Sequence, residues 1–170
     1  MKIIEAMKKN KDLARKAEDL RSKVSAYCAD LDVESPTYQD QAGEIRGWIQ
    51  AHTDIVQEIC RLRVAIARTN LATQVKIDLP GTGVVEKSIA EWIHRRRDLS
   101  QLDLSMWNNL SDRGLKGGMF KKSSGDPVEG KVRRCFDPKQ RDEMRARYMS
   151  EPTIIDGALE VVNAVTDLVV

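Results

Sequence analysis

The apolar positions of the first thirty residues recur at alternating spacings of three and four. Leu13, Ala17, Leu20, Val24, Cys28 and Leu31 fall on one side of a helix, and Lys, Arg, Glu and Asp fill most of the remaining positions. A stripe this narrow is that of a coiled-coil seam, and it predicts a helix over residues 2–31. Lys8, Lys9 and Lys11 place cations in the opening turns, against the helix dipole. That end is therefore a place for fraying or for an anionic partner. Ser35 can cap a second helix with Pro36 at its first position, where a missing N–H costs nothing. The second helix is predicted over 37–70. Its seam is Tyr38, Ala42, Ile45, Ile49, His52, Val56, Ile59 and Ala67, flanked by Trp48, Ile55, Leu62 and Ile66. Two long helices with a short connection make an antiparallel hairpin, with arms of about 45 Å at 1.5 Å per residue.

The period then drops to two. Val75, Ile77 and Leu79 alternate with Lys76 and Asp78, and Pro80-Gly81-Thr82-Gly83 is a turn. A β-hairpin over 74–86 follows. Ser88-Ile89-Ala90-Glu91 fits a capping box and opens a third helix over 88–113. Residues 114–136 form a Gly-rich basic loop without helical period, in which Met119-Phe120 and Val132 to Phe136 are candidate strand pieces. Asp137-Pro138 starts a fourth helix over 138–169, with Pro152 as a kink or restart. The fold class is therefore mainly α: one helical domain over 1–170, a helical hairpin or four-helix coiled-coil-like bundle with a small β-hairpin.

Composition narrows the function. Of 170 residues, 28 are basic and 26 acidic, a formal charge of +2, which argues against a polyanion-coating chain. Aromatics are only 5%, against 32% charged residues, as in long amphipathic helices. No run approaches the ~20 apolar residues of a membrane span. The apolar stretch from Val161 to Val170 is broken by Asn163, Thr166 and Asp167 and reads as a helix end. Three widely spaced cysteines, Cys28, Cys60 and Cys135, point to a reducing compartment. Cys28 and Cys60 read as small apolar packers that can face each other across the hairpin. A cytoplasmic protein is expected, or a virion component if phage-encoded, and not a secreted one.

Candidate chemistry is sparse. His52 sits on an apolar seam, and His94 precedes three arginines that disfavour a cation there. No zinc spacing, HExxH, GxSxG or P-loop is present, so no catalytic, cofactor-binding or metal residue is assigned. A pocket holding two carboxylates, or His52 with a carboxylate and a bound metal, would be the structural sign that revives an enzymatic reading. Two groups of residues carry binding expectations. Arg95, Arg96, Arg97, Lys121, Lys122, Arg133 and Arg134 form a candidate anion site, with Phe120 placed to stack on a base, and hence a nucleic-acid alternative. Trp48, Trp92, Trp107 and Tyr148 are candidate interface anchors. Narrow stripes that do not close on one another call for a second copy or a partner.

The order of elements resembles the septicolysin-like family of small bacterial and phage proteins. The likeness rests on Ile3-Ile4-Glu5-Ala6, on Ala65-Ile66-Ala67-Arg68-Thr69-Asn70, on Gly83 through Arg97, and on Ile155-Asp156 with Glu160, Asn163, Thr166, Asp167 and Leu168. Departures are Ala164 where an aromatic is usual, Pro152 and Gly157 within the last helix, and a longer basic loop. The resemblance implies a helical hairpin with a small β element and self-association, and it supplies no catalytic residues. The expectation is a non-enzymatic structural or interaction protein. It would form a homo-oligomer or join a larger protein assembly, for instance as a capsid or tail accessory, without a membrane partner.

Overall fold

The computed structural model describes residues 1–169, so the last residue of the Val161–Val170 run lies outside them. The chain is mainly helical with small two-stranded antiparallel sheets. It divides into two compact units, 1–75 with 88–90 and 159–170, and 76–87 with 91–158.

The first unit is built on α1 (Ile3–Tyr27) and α2 (Gln41–Ala72), packed as an antiparallel pair. At 1.5 Å per residue they are about 38 and 48 Å long. Lys9 Nζ reaches Glu58 Oε1 at 2.8 Å, while the Tyr27 ring, at the other end of α1, lies tilted against Trp48. α1 stops at Tyr27, so Cys28 and Leu31 fall outside it and are exposed. α2 begins at Gln41 rather than near 37. Asp40, not Ser35, is its cap, accepting from the Gly43 N–H at 2.8 Å. Tyr38 instead closes an aromatic cluster, with ring centroids 5.3 Å from Tyr27 and 5.5 Å from Trp48.

The basic N-terminus is held rather than frayed. The Ile3 N–H donates to Thr166 C=O, the Leu168 N–H donates to Met1 C=O, and Lys2 Nζ reaches Val165 C=O at 2.8 Å and Asp167 Oδ2 at 2.7 Å. Thr69 completes this clasp. Fully buried, its hydroxyl donates to Ala65 C=O and accepts from the Val169 N–H at 2.9 Å.

The seam of α2 differs from the sequence reading. Leu62 and Thr69 are buried and Trp48, Ile55, Ile59 and Ile66 are partly buried, whereas Ile49, Val56 and Ala67 are exposed. The helix carries apolar side chains on two faces, and the pattern alone does not say which face α1 takes. The long helices α1 and α2 pack on each other as an antiparallel hairpin.

Strands β1 (Gln74–Leu79) and β2 (Gly83–Ser88) form the expected hairpin. The turn is closed by Thr82 N–H donating to Leu79 C=O, with Gly81 and Gly83 in the left-handed region. In the second unit, α3 (Ile89–His94, of which Glu91–His94 belong here) runs through a π-helical turn, Arg95–Leu99, into α4 (Ser100–Asn108). The 114–136 segment is not a plain loop. β3 (Gly118–Lys121) pairs antiparallel with β4 (Pro127–Gly130), Phe120 opposite Val128, so Met119-Phe120 lies in a strand while 132–136 does not. α5 (Pro138–Val165) starts as expected, with Asp137 Oδ1 accepting from the Lys139 N–H at 2.9 Å, and it passes through Pro152 without a break.

Candidate functional site

The π-helical turn decides where the basic chemistry of the second unit goes. Its closing bond is the Ser100 N–H donating to Arg95 C=O, five residues back. In an α-helix, residues five apart point about 140° away from each other. The extra residue in the turn brings Arg95 and Ser100 toward a common side. Both reach the carboxylate of Glu151 on α5. Arg95 Nε and Nη2 lie 2.8 and 2.7 Å from Oε2, and Ser100 Oγ donates to the same oxygen at 2.9 Å. Glu151 and Ser100 are buried. Glu151 Oε1 faces Arg147 Nε at 3.6 Å, beyond hydrogen-bond length. Arg95 also binds Asp103 through Nη1. Burial works against the Arg95 cation, but the Asp103 and Glu151 carboxylates outweigh it and raise its pKa further. The guanidinium groups of Arg95 and Arg147 lie 5.4 and 5.3 Å from the ring centre of Tyr148.

Beside this network lies a cleft of about 490 Å³, within the size range of small-molecule sites. The β1–β2 hairpin supplies Leu79, Thr82, Val85 and Lys87, α3 supplies Glu91, Trp92 and His94, and Arg95, Leu99, Arg147 and Glu151 complete it. It holds two carboxylates, Glu91 and Glu151. Glu151 Oε2 is held by Arg95 and by the Ser100 hydroxyl. Among the described residues, no group of three or more His, Cys, Asp or Glu side chains is arranged to hold a metal.

The expected anion site is not one cluster. Arg95 is spent on Glu151 and Asp103, Arg96 on Asp156, and Arg97 on Asp98 with His94 Nδ1 at 3.1 Å. Arg134 forms a two-pronged pair with Asp112, at 2.7 and 2.8 Å, which lowers the pKa of that carboxyl. Lys121, Lys122 and Arg133 are exposed on and after the β3–β4 hairpin, where Phe120 is also exposed. Four of the seven expected cations are thus neutralised by carboxylates up to sixty positions away. A run of arginines in sequence carries no sign of this.

The expected aromatic anchors also separate. Trp92 is fully buried, a core residue rather than a surface anchor. Trp48 is partly buried in the Tyr27–Tyr38 cluster, with Lys23 Nζ 5.9 Å from its ring. Trp107 and Tyr148 are partly buried. Cys28, Cys60 and Cys135 are free and exposed, so Cys28 and Cys60 do not pack across the hairpin.

The exposed apolar surface lies elsewhere. On α2, the face turned away from the Leu62–Thr69 seam carries Ile49, Val56, Val64 and Leu71. On α4 and the π-helical turn, Leu99, Leu102 and Met106 follow one another at spacings of three and four, all exposed. No helix among the described residues is long and apolar enough to cross a membrane. Comparison of the chain with models of protein families, with characterised proteins and with solved structures finds no match.

Proposed function

We propose that this chain is a non-enzymatic structural or interaction protein that self-associates. The observation that carries the reading is the apolar stripe of α2 opposite its α1-packed face, half-exposed at Ile49, Val56, Val64 and Leu71. A helix apolar on two faces, one of them packed on α1, leaves the second face for another surface. The Leu99–Leu102–Met106 row gives the second unit a smaller face of the same kind. The arginine-rich network supports the same reading, because its charges satisfy one another. The resemblance to the septicolysin-like family, which includes phage members, makes a virion accessory component on a capsid or tail the most concrete setting. The test is mass in solution by light scattering behind a sizing column, at low and high salt. A defined oligomer that persists at high salt is expected, since apolar burial is not screened. A monomer at all concentrations would sink the reading.

The cleft favours one second reading, a small-molecule site. The observation behind it is the pair of carboxylates beside Lys87 and His94. A thermal-shift screen of small cationic, anionic and zwitterionic metabolites tests it. Stabilisation lost in a Lys87→Ala variant supports the reading, and no hit at millimolar ligand removes it.

A further inference from the structure

The exposed face of α2 reads the same from either end. Ile49, Thr53, Val56, Cys60, Val64, Ala67 and Leu71 are all exposed, and their spacings are four, three, four, four, three, four. Cys60 is the centre. Large apolar residues stand at eleven and four positions on each side of it, and small residues at seven. The four large ones are 52, 46, 44 and 66% exposed. About a two-fold axis at Cys60 each residue of the row meets the one equally far on the other side of Cys60 in a second copy, so large apolar meets large apolar and small meets small at every position.

We infer that two copies of this chain pair antiparallel along α2, about a two-fold axis at Cys60. This deepens the self-association reading and rests on it. In this register Ile49 lies across from Leu71 of the second copy, Val56 from Val64, Thr53 from Ala67, and Cys60 from its own equivalent. The row is about 33 Å long at 1.5 Å per residue. Its mean spacing, close to 3.67 residues per turn, keeps it nearly straight along the helix, so contact runs its full length. The large side chains and Cys60 together expose on the order of 400 Å² per copy, the size of the largest apolar patch on a typical monomer, which is often functional. The flanking polar side chains widen it toward the roughly 800 Å² per partner of a standard interface. Arginines flank the row, and in this register no two of them fall directly across from each other. Arg63 lies across from Gln57 and Arg68 across from His52, while Arg61, nearest the axis, has Glu58 of its own helix at 3.9 Å.

The test uses the full chain with Cys28→Ser and Cys135→Ser, leaving Cys60 as its one thiol. A short bis-maleimide, which joins two thiols without an oxidant, should convert most of the protein to covalent dimer. Register is read separately, with Cys60→Ser added. Ile49→Cys protein mixed with Leu71→Cys protein should cross-link as a mixed pair, while neither should cross-link well with itself. Val56→Glu should raise the dimer dissociation constant at least 100-fold. Val56→Lys/Val64→Glu should recover at least tenfold of that, because the antiparallel register sets opposite charges across from each other. These positions are exposed, and circular dichroism confirms that the helices persist. An oligomer that gives no Cys60 dimer and keeps its mass in Val56→Glu overturns this interface while leaving self-association intact. Self-cross-linking at Ile49→Cys overturns the antiparallel register. A monomer at every concentration overturns both this inference and the reading beneath it.

Discussion

Arg95→Met is the sharpest probe of the second unit. The substitution keeps an unbranched stem of similar length and removes the guanidinium. Glu151 then loses both short bonds to Oε2, at 2.8 and 2.7 Å, and keeps only the Ser100 hydroxyl and the distant Arg147. Its side chain is 1% exposed, so water cannot replace the lost donors. Stripping one partner from a buried ion pair costs about 3–5 kcal/mol. Asp103 also loses its partner, but it is 45% exposed and its share is small. For a chain of this length the loss corresponds to a fall in Tm of roughly 10 °C. Urea unfolding followed by circular dichroism measures it, with the m-value checked for constancy. The companion experiment is Arg95→Met/Glu151→Leu. Removing both charges together removes the stranded anion, and apolar replacements of buried pairs are often nearly neutral. The double variant should therefore be more stable than the single one, leaving about 1–2 kcal/mol for the orphaned Ser100 hydroxyl. If Arg95→Met costs less than about 1 kcal/mol, the carboxylate is not sealed from water in the way described. If the second substitution adds to the loss instead of recovering it, the pair is not the unit of stability.

Three further outcomes follow from particular contacts. Gly43→Ala and Gly47→Ala, four residues apart on α2, should have opposite signs. A Cβ at Gly43 would lie 2.2 Å from the Asp40 carboxylate and displace the helix cap, at about 1 kcal/mol, whereas Gly47 has open space around it and should gain about 0.5–1 kcal/mol in helix propensity, both readable by thermal unfolding. The pKa of Asp167 is lowered, chiefly by its hydrogen bond from Lys2, so the clasp is stabilising above the unfolded value of about 3.9 and is lost as pH falls through the lower folded value. Amide NMR shifts of Ile3 and Leu168 should move in that acid window and not in Asp167→Asn. Thr69→Val leaves the Val169 N–H without its acceptor, and hydrogen exchange at that amide should accelerate while α2 stays protected.

Local pattern in the sequence determined the elements. The stripe from Leu13 to Val24, the alternation of Val75, Ile77 and Leu79, and the Asp137-Pro138 start all rest on spacing or capping within a few residues, and the structure has them in place. Those features are properties of one segment, so one segment reveals them. Tertiary structure decided everything that depends on a partner far along the chain. Leu62 rather than Val56 lies on the buried side of α2 because that helix is apolar on two faces and α1 covers one. Arg95 became an internal ion rather than a surface cation because a π-helical turn swings it to Glu151, fifty-six positions away. Ser35 lost the cap to Asp40, and Tyr38, three residues on from Ser35, packs its ring against Tyr27 and Trp48 ahead of the helix. The symmetric row about Cys60 stands between these cases. Its letters are in the sequence, but it became a candidate surface only once α1 was seen to occupy the other face of the helix. Periodicity records which side chains share a face, and only the competition among faces for burial determines which one is left for a second molecule.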